Sequence, residues 1–185
     1  MLLLDLLTLA MMVLTGVIVI TVIGQLFAMT PFVPSPGSVT KAMVETAHLK
    51  GSEIVYDLGA GDGKILIQAK KMYPAITARG YEIALGVWLL GLVRIYLSGT
   101  KVELHWRDAL KQDLRDADVI FLYLMPHMIK RCAKKFDAEL KSGTTVISHA
   151  FQFHDRIPDR EITIPQGKRN RRVFVYRWPA MAPKG

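Results

Sequence analysis

Residues 57–64 read Asp-Leu-Gly-Ala-Gly-Asp-Gly-Lys, and they fall where a short apolar run ends and a helical pattern begins. Glycines at 59, 61 and 63 let the backbone turn tightly and approach a ligand with no Cβ in the way. In doubly wound sheets ligands bind beyond the carboxyl ends of the strands, at a turn of this kind. The dinucleotide fingerprint wants its third glycine one position later, where this chain has Lys64. A phosphate-binding P-loop needs Ser or Thr after its lysine, and Ile65 stands there instead. What remains is a nucleoside without a pyrophosphate.

The surrounding pattern agrees with such a turn. Apolar runs predict strands over 53–57, 76–82, 102–106, 119–124, 144–150, 161–164 and 173–178, and helical periodicity predicts helices over 39–50, 64–73, 84–97 and 128–140. Ser38 is placed to cap the first of these helices. Strands alternating with helices imply a mostly parallel sheet covered on both faces, and the last two strands, with no helix between them, imply an antiparallel hairpin. The expected fold is therefore α/β: Rossmann-like, doubly wound, with seven strands.

Acidic residues follow successive strands. Glu82 ends the second strand, about 20 residues beyond the loop, where a carboxylate accepts hydrogen bonds from both ribose hydroxyls. Asp108 follows the third strand and is placed to accept from an adenine amino group, with the Ala109 amide donating to the ring.

Residues 6–29 carry no charge, and their length matches the thickness of bilayer hydrocarbon. A cleaved signal peptide is disfavoured, because Asp5 stands where a basic n-region belongs and no clear A-x-A site follows. Lys and Arg are absent from residues 1–40 and frequent afterwards, within a net charge of +8. That asymmetry places the tail on the cytoplasmic side of a single-pass cell-membrane protein. The expected division is a transmembrane anchor over 1–30 and one catalytic domain over 31–185. Helix 84–97 is apolar almost all round, with Arg94 its only charge. It reads either as a core helix or as one that dips Trp88, Leu92 and Tyr96 into the membrane interface.

Cys132 is the only cysteine, so neither an internal disulfide nor a thiolate zinc cluster can form within one chain. No histidine pair has the helical i, i+4 spacing with an intervening acid of a zinc hydrolase, and no metal is expected. His149 lies in a predicted buried strand and reads as a core histidine; His127 and His154 read as surface or loop residues. Residues 124–127 lack the Asn/Asp-Pro-Pro-aromatic motif of nucleic-acid exocyclic-amine enzymes, and the basic run 168–172 reads as a solvated turn or a contact with acidic lipid. A nucleic-acid partner is disfavoured.

Four segments together, PFVPSP (31–36), IVYDLGAGDGKI (54–65), YEI (81–83) and AELKSGTTVISHAF (138–151), resemble the class I, seven-strand S-adenosylmethionine-dependent methyltransferases. More narrowly, the chain resembles small protein lysine methyltransferases, an archaeal enzyme and mitochondrial enzymes acting on the adenine nucleotide translocase and on ATP synthase subunit c. The resemblance implies S-adenosyl-L-methionine as cofactor, with Asp57, Gly59, Gly61 and Gly63 holding its methionine part and ribose, Glu82 the ribose hydroxyls, and Asp108 facing the adenine. It also implies that the segment containing Pro34 lies over the pocket, with Phe32 and Ser35 where the family has tyrosine and threonine. The acceptor it implies is a protein lysine, and the short tether puts that acceptor on a protein at or near the membrane.

A lysine amine must be neutral to accept a methyl group, against an ordinary pKa of about 10.4, and an apolar channel beside a cation favours the neutral form. Phe32, Pro34, Tyr123, Met125, Pro126 and Phe151 are the candidates to line such a channel. A lipid headgroup or small amine as acceptor, and a non-catalytic scaffold, are the competing readings.

Overall fold

The computed structural model describes residues 2–28, 33–166 and 169–181. Helix α1 (Leu2–Ala28) is followed by α2 (Gly37–Thr46), β1 (Ile54–Leu58), α3 (Lys64–Met72), β2 (Thr77–Glu82), α4 (Leu85–Ser98) and β3 (Glu103–Trp106). After a 3-10 turn (Ala109–Lys111) come β4 (Val119–Leu122), α5 (Pro126–Glu139), β5 (Thr145–His149), β6 (Arg160–Gln166) and β7 (Arg169–Arg177). The strands form one seven-stranded sheet in the order β3-β2-β1-β4-β5-β7-β6. The first five are parallel; β7 runs antiparallel to β5, and β6 antiparallel to β7. This is the mixed sheet the pattern predicts.

Period-two alternation sends side chains to two cores. Val55, Val119, Phe121 and Ile147 join α2 and α3 on one face, while Tyr56, Leu58, Ile120 and Val146 join α5 on the other. The α5 face is rich in rings: Phe136 meets Trp178 edge-on at 5.4 Å, and Phe153 meets Tyr176 at 5.0 Å. All four are buried, each contributing about 3 kcal/mol of transfer free energy.

Three details depart from the expected elements. The cap at Ser38 is absent: α2 starts at Gly37 after Pro36, and Ser38 Oγ instead donates to Gln166 Oε1 on β6 at 2.6 Å. The same helix ends at Thr46 and does not reach residue 50, because His48 takes a left-handed conformation at φ 48°. Helix α5 starts at Pro126, two residues before the expected position, since a proline at the first helical position gives up no hydrogen bond.

Candidate active site

The order of strands reverses direction between β1 and β4, and a cavity of about 240 Å³ opens there beyond the carboxyl ends. Its floor is the glycine loop. Gly59 and Ala60 both donate to the carbonyl of Tyr81 at 2.9 Å, which binds the loop to the end of β2. Gly59 and Gly61 hold φ of 78° and 57°, a region that strains residues with a Cβ. At Gly59 a Cβ would also stand 2.8 Å from Leu124 Cδ2. Gly63 is outside the cavity wall and serves as the left-handed N-cap of α3. Helix α4 presses on the loop from outside, where a Cβ at Gly91 would lie 3.2 Å from the Gly61 carbonyl oxygen.

Three buried carboxyl groups share this region. Glu82 is held by backbone amides, Oε2 accepting from Gly61 at 2.9 Å and Oε1 from Ala84 at 2.8 Å. Burial outweighs these bonds and raises its pKa. Asp57 is pushed up to about 8, first by burial and then by the neighbouring Glu82 and Asp62. Asp62 pairs with Arg94 of α4 at 3.1 Å. Beyond β3, Asp108 accepts from the Leu110 amide at 2.9 Å, and the 3-10 turn so capped sets Asp108 and Ala109 in the wall.

The fourth side comes from the segment before α2. Val33, Pro34 and Ser35 line the cavity, and Lys64 Nζ fastens them by donating to the Ser35 carbonyl at 2.9 Å. Ser35 Oγ lies 3.3 Å from His149 Nδ1, and the His149 ring packs against Tyr123 at 4.1 Å between centroids. His149 is fully buried, and its pKa is lowered to about 4 by burial and then by Arg171. Among the described residues its Nε2 has no partner.

Of the expected site residues, the structure brings Asp57, Gly59, Gly61, Glu82, Asp108, Ala109, Pro34 and Tyr123 to one cavity. Met125 and Pro126 stand outside the wall, at the start of α5, and Phe151 packs against the ring-rich core. Phe32 lies outside the described residues. Sequence reasoning missed Asp62, Lys64 and Arg131, which also line the cavity. The first two were signalled by their place in the loop; Arg131 was signalled only by sharing a helix face with Met128 and Cys132 at i, i+3 and i+4 spacing.

The acid-lined cavity suits a cationic nucleoside. Buried carboxylates are costly to ionise without a positive partner, and a sulfonium next to an ammonium supplies that charge where Asp57 and Glu82 face the cavity. Fold and site together define a class I S-adenosylmethionine-dependent methyltransferase.

Residues 57–160 match the family described as the ANTKMT methyltransferase domain, and the chain belongs to that family. It is 32% identical over 148 residues to a protein-lysine N-methyltransferase of Saccharolobus islandicus (strain REY15A), an alignment covering 79% of this chain and 92% of that protein. It is 32% identical over 126 residues to the mouse adenine nucleotide translocase lysine N-methyltransferase, covering 65% of this chain and 51% of the relative. Among solved structures, an RNA methyltransferase from Salinibacter ruber in complex with S-adenosyl-L-homocysteine aligns with a TM-score of 0.74 at 30% identity, over 83% of this chain and 98% of that one.

Proposed function

We propose that this chain transfers methyl groups to the lysine ε-amine of a protein substrate at or near a membrane, with residues 1–30 as its anchor and 31–185 as its methyltransferase domain. The observation that carries the reading is the cavity in which Asp57 and Glu82 face apolar wall residues supplied by Val33, Pro34, Tyr123 and Leu124. Bound S-adenosylmethionine supplies an activated methyl group on a cationic sulfur. Asp57 and the glycine loop hold its amino-acid part and ribose, Glu82 accepts from the ribose hydroxyls, and Asp108 with Ala109 faces the adenine. Pro34 and Tyr123 narrow the approach, exclude water and favour a neutral amine. His149, packed against Tyr123 behind that wall and neutral through the physiological range, brings no charge close to it. The attacking amine sheds its proton to solvent before it enters.

The acceptor class is supported by the names of the relatives at 32% identity, both lysine N-methyltransferases. Membrane attachment is supported by α1, whose stretch Leu3–Ile20 has a mean hydropathy of 2.5 and is nowhere buried against the rest of the protein. Val33 in the cavity wall is five positions beyond Ala28 at the end of α1, and a fully extended chain of that length spans about 18 Å. The cavity therefore stays near the end of the anchor.

A nucleic-acid acceptor is the second reading, favoured by the name of the Salinibacter ruber protein and by Arg169, Arg171 and Arg172 on β7. Arg172 is engaged within the hairpin, 3.5 Å from Glu161 and stacked over Phe174, which favours the protein acceptor. Incubation with isotopically labelled cofactor and, separately, membranes, cytosolic protein and total RNA distinguishes the readings. Label on lysines of membrane proteins is expected; label confined to free cytosolic proteins or to RNA overturns the proposal.

A further inference from the structure

Helix α4 is apolar on two faces, and only one of them has a use inside the domain. Val87, Gly91 and Ile95, at i, i+4 and i+8, form the buried stripe, and Gly91 brings the helix onto the glycine loop. At 100° per residue, Leu90, Val93, Tyr96 and Leu97 form a second stripe on the far side. A helix on the surface of a water-soluble domain carries charges there. Here Tyr96 is 85% and Leu97 76% exposed, although α1 already packs beside α4.

The patch continues past the helix. Trp106 at the end of β3 is 54% exposed, stacks on Trp88 at 6.2 Å, and donates from Nε1 to the Ile83 carbonyl at 2.9 Å. Ile83, itself 54% exposed, also lines the cavity. The apolar surface thus runs from the flank of α1, along α4, to the rim of the site. Of the residues the sequence suggested for an interface, Tyr96 faces outward, Leu92 is partly exposed, and Trp88 is turned inward, its Nε1 donating to the Leu104 carbonyl at 3.1 Å.

We propose that the outer face of α4, Leu90, Val93, Tyr96 and Leu97, together with Ile83 and Trp106, rests in the interfacial layer of a lipid bilayer, as a second membrane contact beside α1. Continuity with the long apolar helix argues for lipid as the occupant, and so does the makeup of the patch, with aliphatic side chains in its middle and amphipathic tyrosine and tryptophan at its ends. Lys101 and Arg107, both exposed at the patch's edge in sequence, are long enough to reach headgroups. An anchor alone leaves a domain free to swing. A second contact fixes it, with the rim of the cavity at the lipid surface, where a lysine of a membrane protein just outside the hydrocarbon meets it without a search. The inference rests on reading α1 as an anchor.

The test uses the full chain in vesicles of mixed zwitterionic and anionic lipid. Cys132 is buried, so Tyr96→Cys introduces the one accessible thiol for a nitroxide, and bound S-adenosylhomocysteine reports that the labelled chain is folded. Matching labels go on Lys134→Cys, exposed on α5 on the opposite face of the sheet, and on Val13→Cys in α1. The expected result is a ratio of oxygen to water-soluble nickel relaxation several-fold higher at position 96 than at position 134. A nickel-accessible label at 96 overturns the proposal, and so does spin–spin broadening between labels at 96, which would assign the face to a second copy of the chain. Position 13 separately reports on the anchor: an oxygen-rich label there with a nickel-accessible one at 96 keeps α1 in the membrane and removes α4 from it.

Discussion

The carboxylate of Glu82 accepts a hydrogen bond from the amide of Gly61 at 2.9 Å, so this side chain joins the two backbone bonds to the Tyr81 carbonyl in tying the end of β2 to the glycine loop that follows β1. Glu82 has two tasks on this account, shaping the loop and accepting from the ribose. Glu82→Ala should weaken S-adenosylhomocysteine binding at least about 100-fold, since each hydrogen bond to a charged group contributes about 1.5 to 3 kcal/mol. Glu82→Gln, which keeps the shape but loses the charge, should fall between. Equilibrium dialysis with labelled ligand measures both.

Asp57 gives the site a pH signature. With its pKa at about 8 in the ligand-free chain it is mostly protonated at pH 7, and a cation beside it favours the ionised form. Binding of S-adenosylmethionine should therefore release a proton below pH 8. Affinity should rise with pH up to about 8 and level off above it. Calorimetry at pH 7 in buffers of different ionisation enthalpy counts the proton, and Asp57→Asn should abolish the dependence.

The same shift has a cost in stability. For an acid whose folded value lies above its unfolded one near 3.8, stability is full below 3.8 and falls as the pH rises toward 8. Asp57→Asn should accordingly stabilise the ligand-free chain at pH 8 while weakening cofactor binding, a pairing that thermal melts with and without ligand would show.

His149 behaves in the opposite sense. Its folded value of about 4 lies below the usual 6.5, so the unfolded chain takes up the proton first. Stability should be full above pH 6.5, fall between 6.5 and 4, and level off below that. His149→Gln should flatten this limb of the pH–stability curve measured by denaturant unfolding.

Gly91 tests the packing of α4 on the loop. A Cβ there would stand 2.5 Å from Leu104 Cδ2 as well as 3.2 Å from the Gly61 carbonyl oxygen. Gly91→Ala should destabilise by about 1 to 3 kcal/mol, the usual cost of overpacking, and should weaken ligand binding with it. An exposed control, Gly99→Asn at the left-handed end of α4, should leave binding unchanged.

The sheet was legible in the sequence because apolar runs such as β1, β4 and β5 alternate with helical periodicity, and the site was legible where the chemistry sits at strand ends, as with Asp57, Glu82 and Asp108. What escaped notice depends on tertiary approach. Lys64 reads as a helix start, and its grip on the Ser35 carbonyl is a contact between residues 29 positions apart. Ser38 reads as a cap, yet Gln166, 128 positions away, competes for its hydroxyl. Helix α4 reads as apolar all round; that its inner stripe is Val87, Gly91 and Ile95 is decided by where β3 places Leu104.

Titration calorimetry of the folded 185-residue chain with S-adenosylhomocysteine is the most direct test of the cavity at the reversal of the sheet. The account predicts one saturable site per chain, lost in Gly61→Arg while the circular dichroism spectrum is retained. Heat absent from the folded wild-type chain, or unchanged by Gly61→Arg, would contradict it.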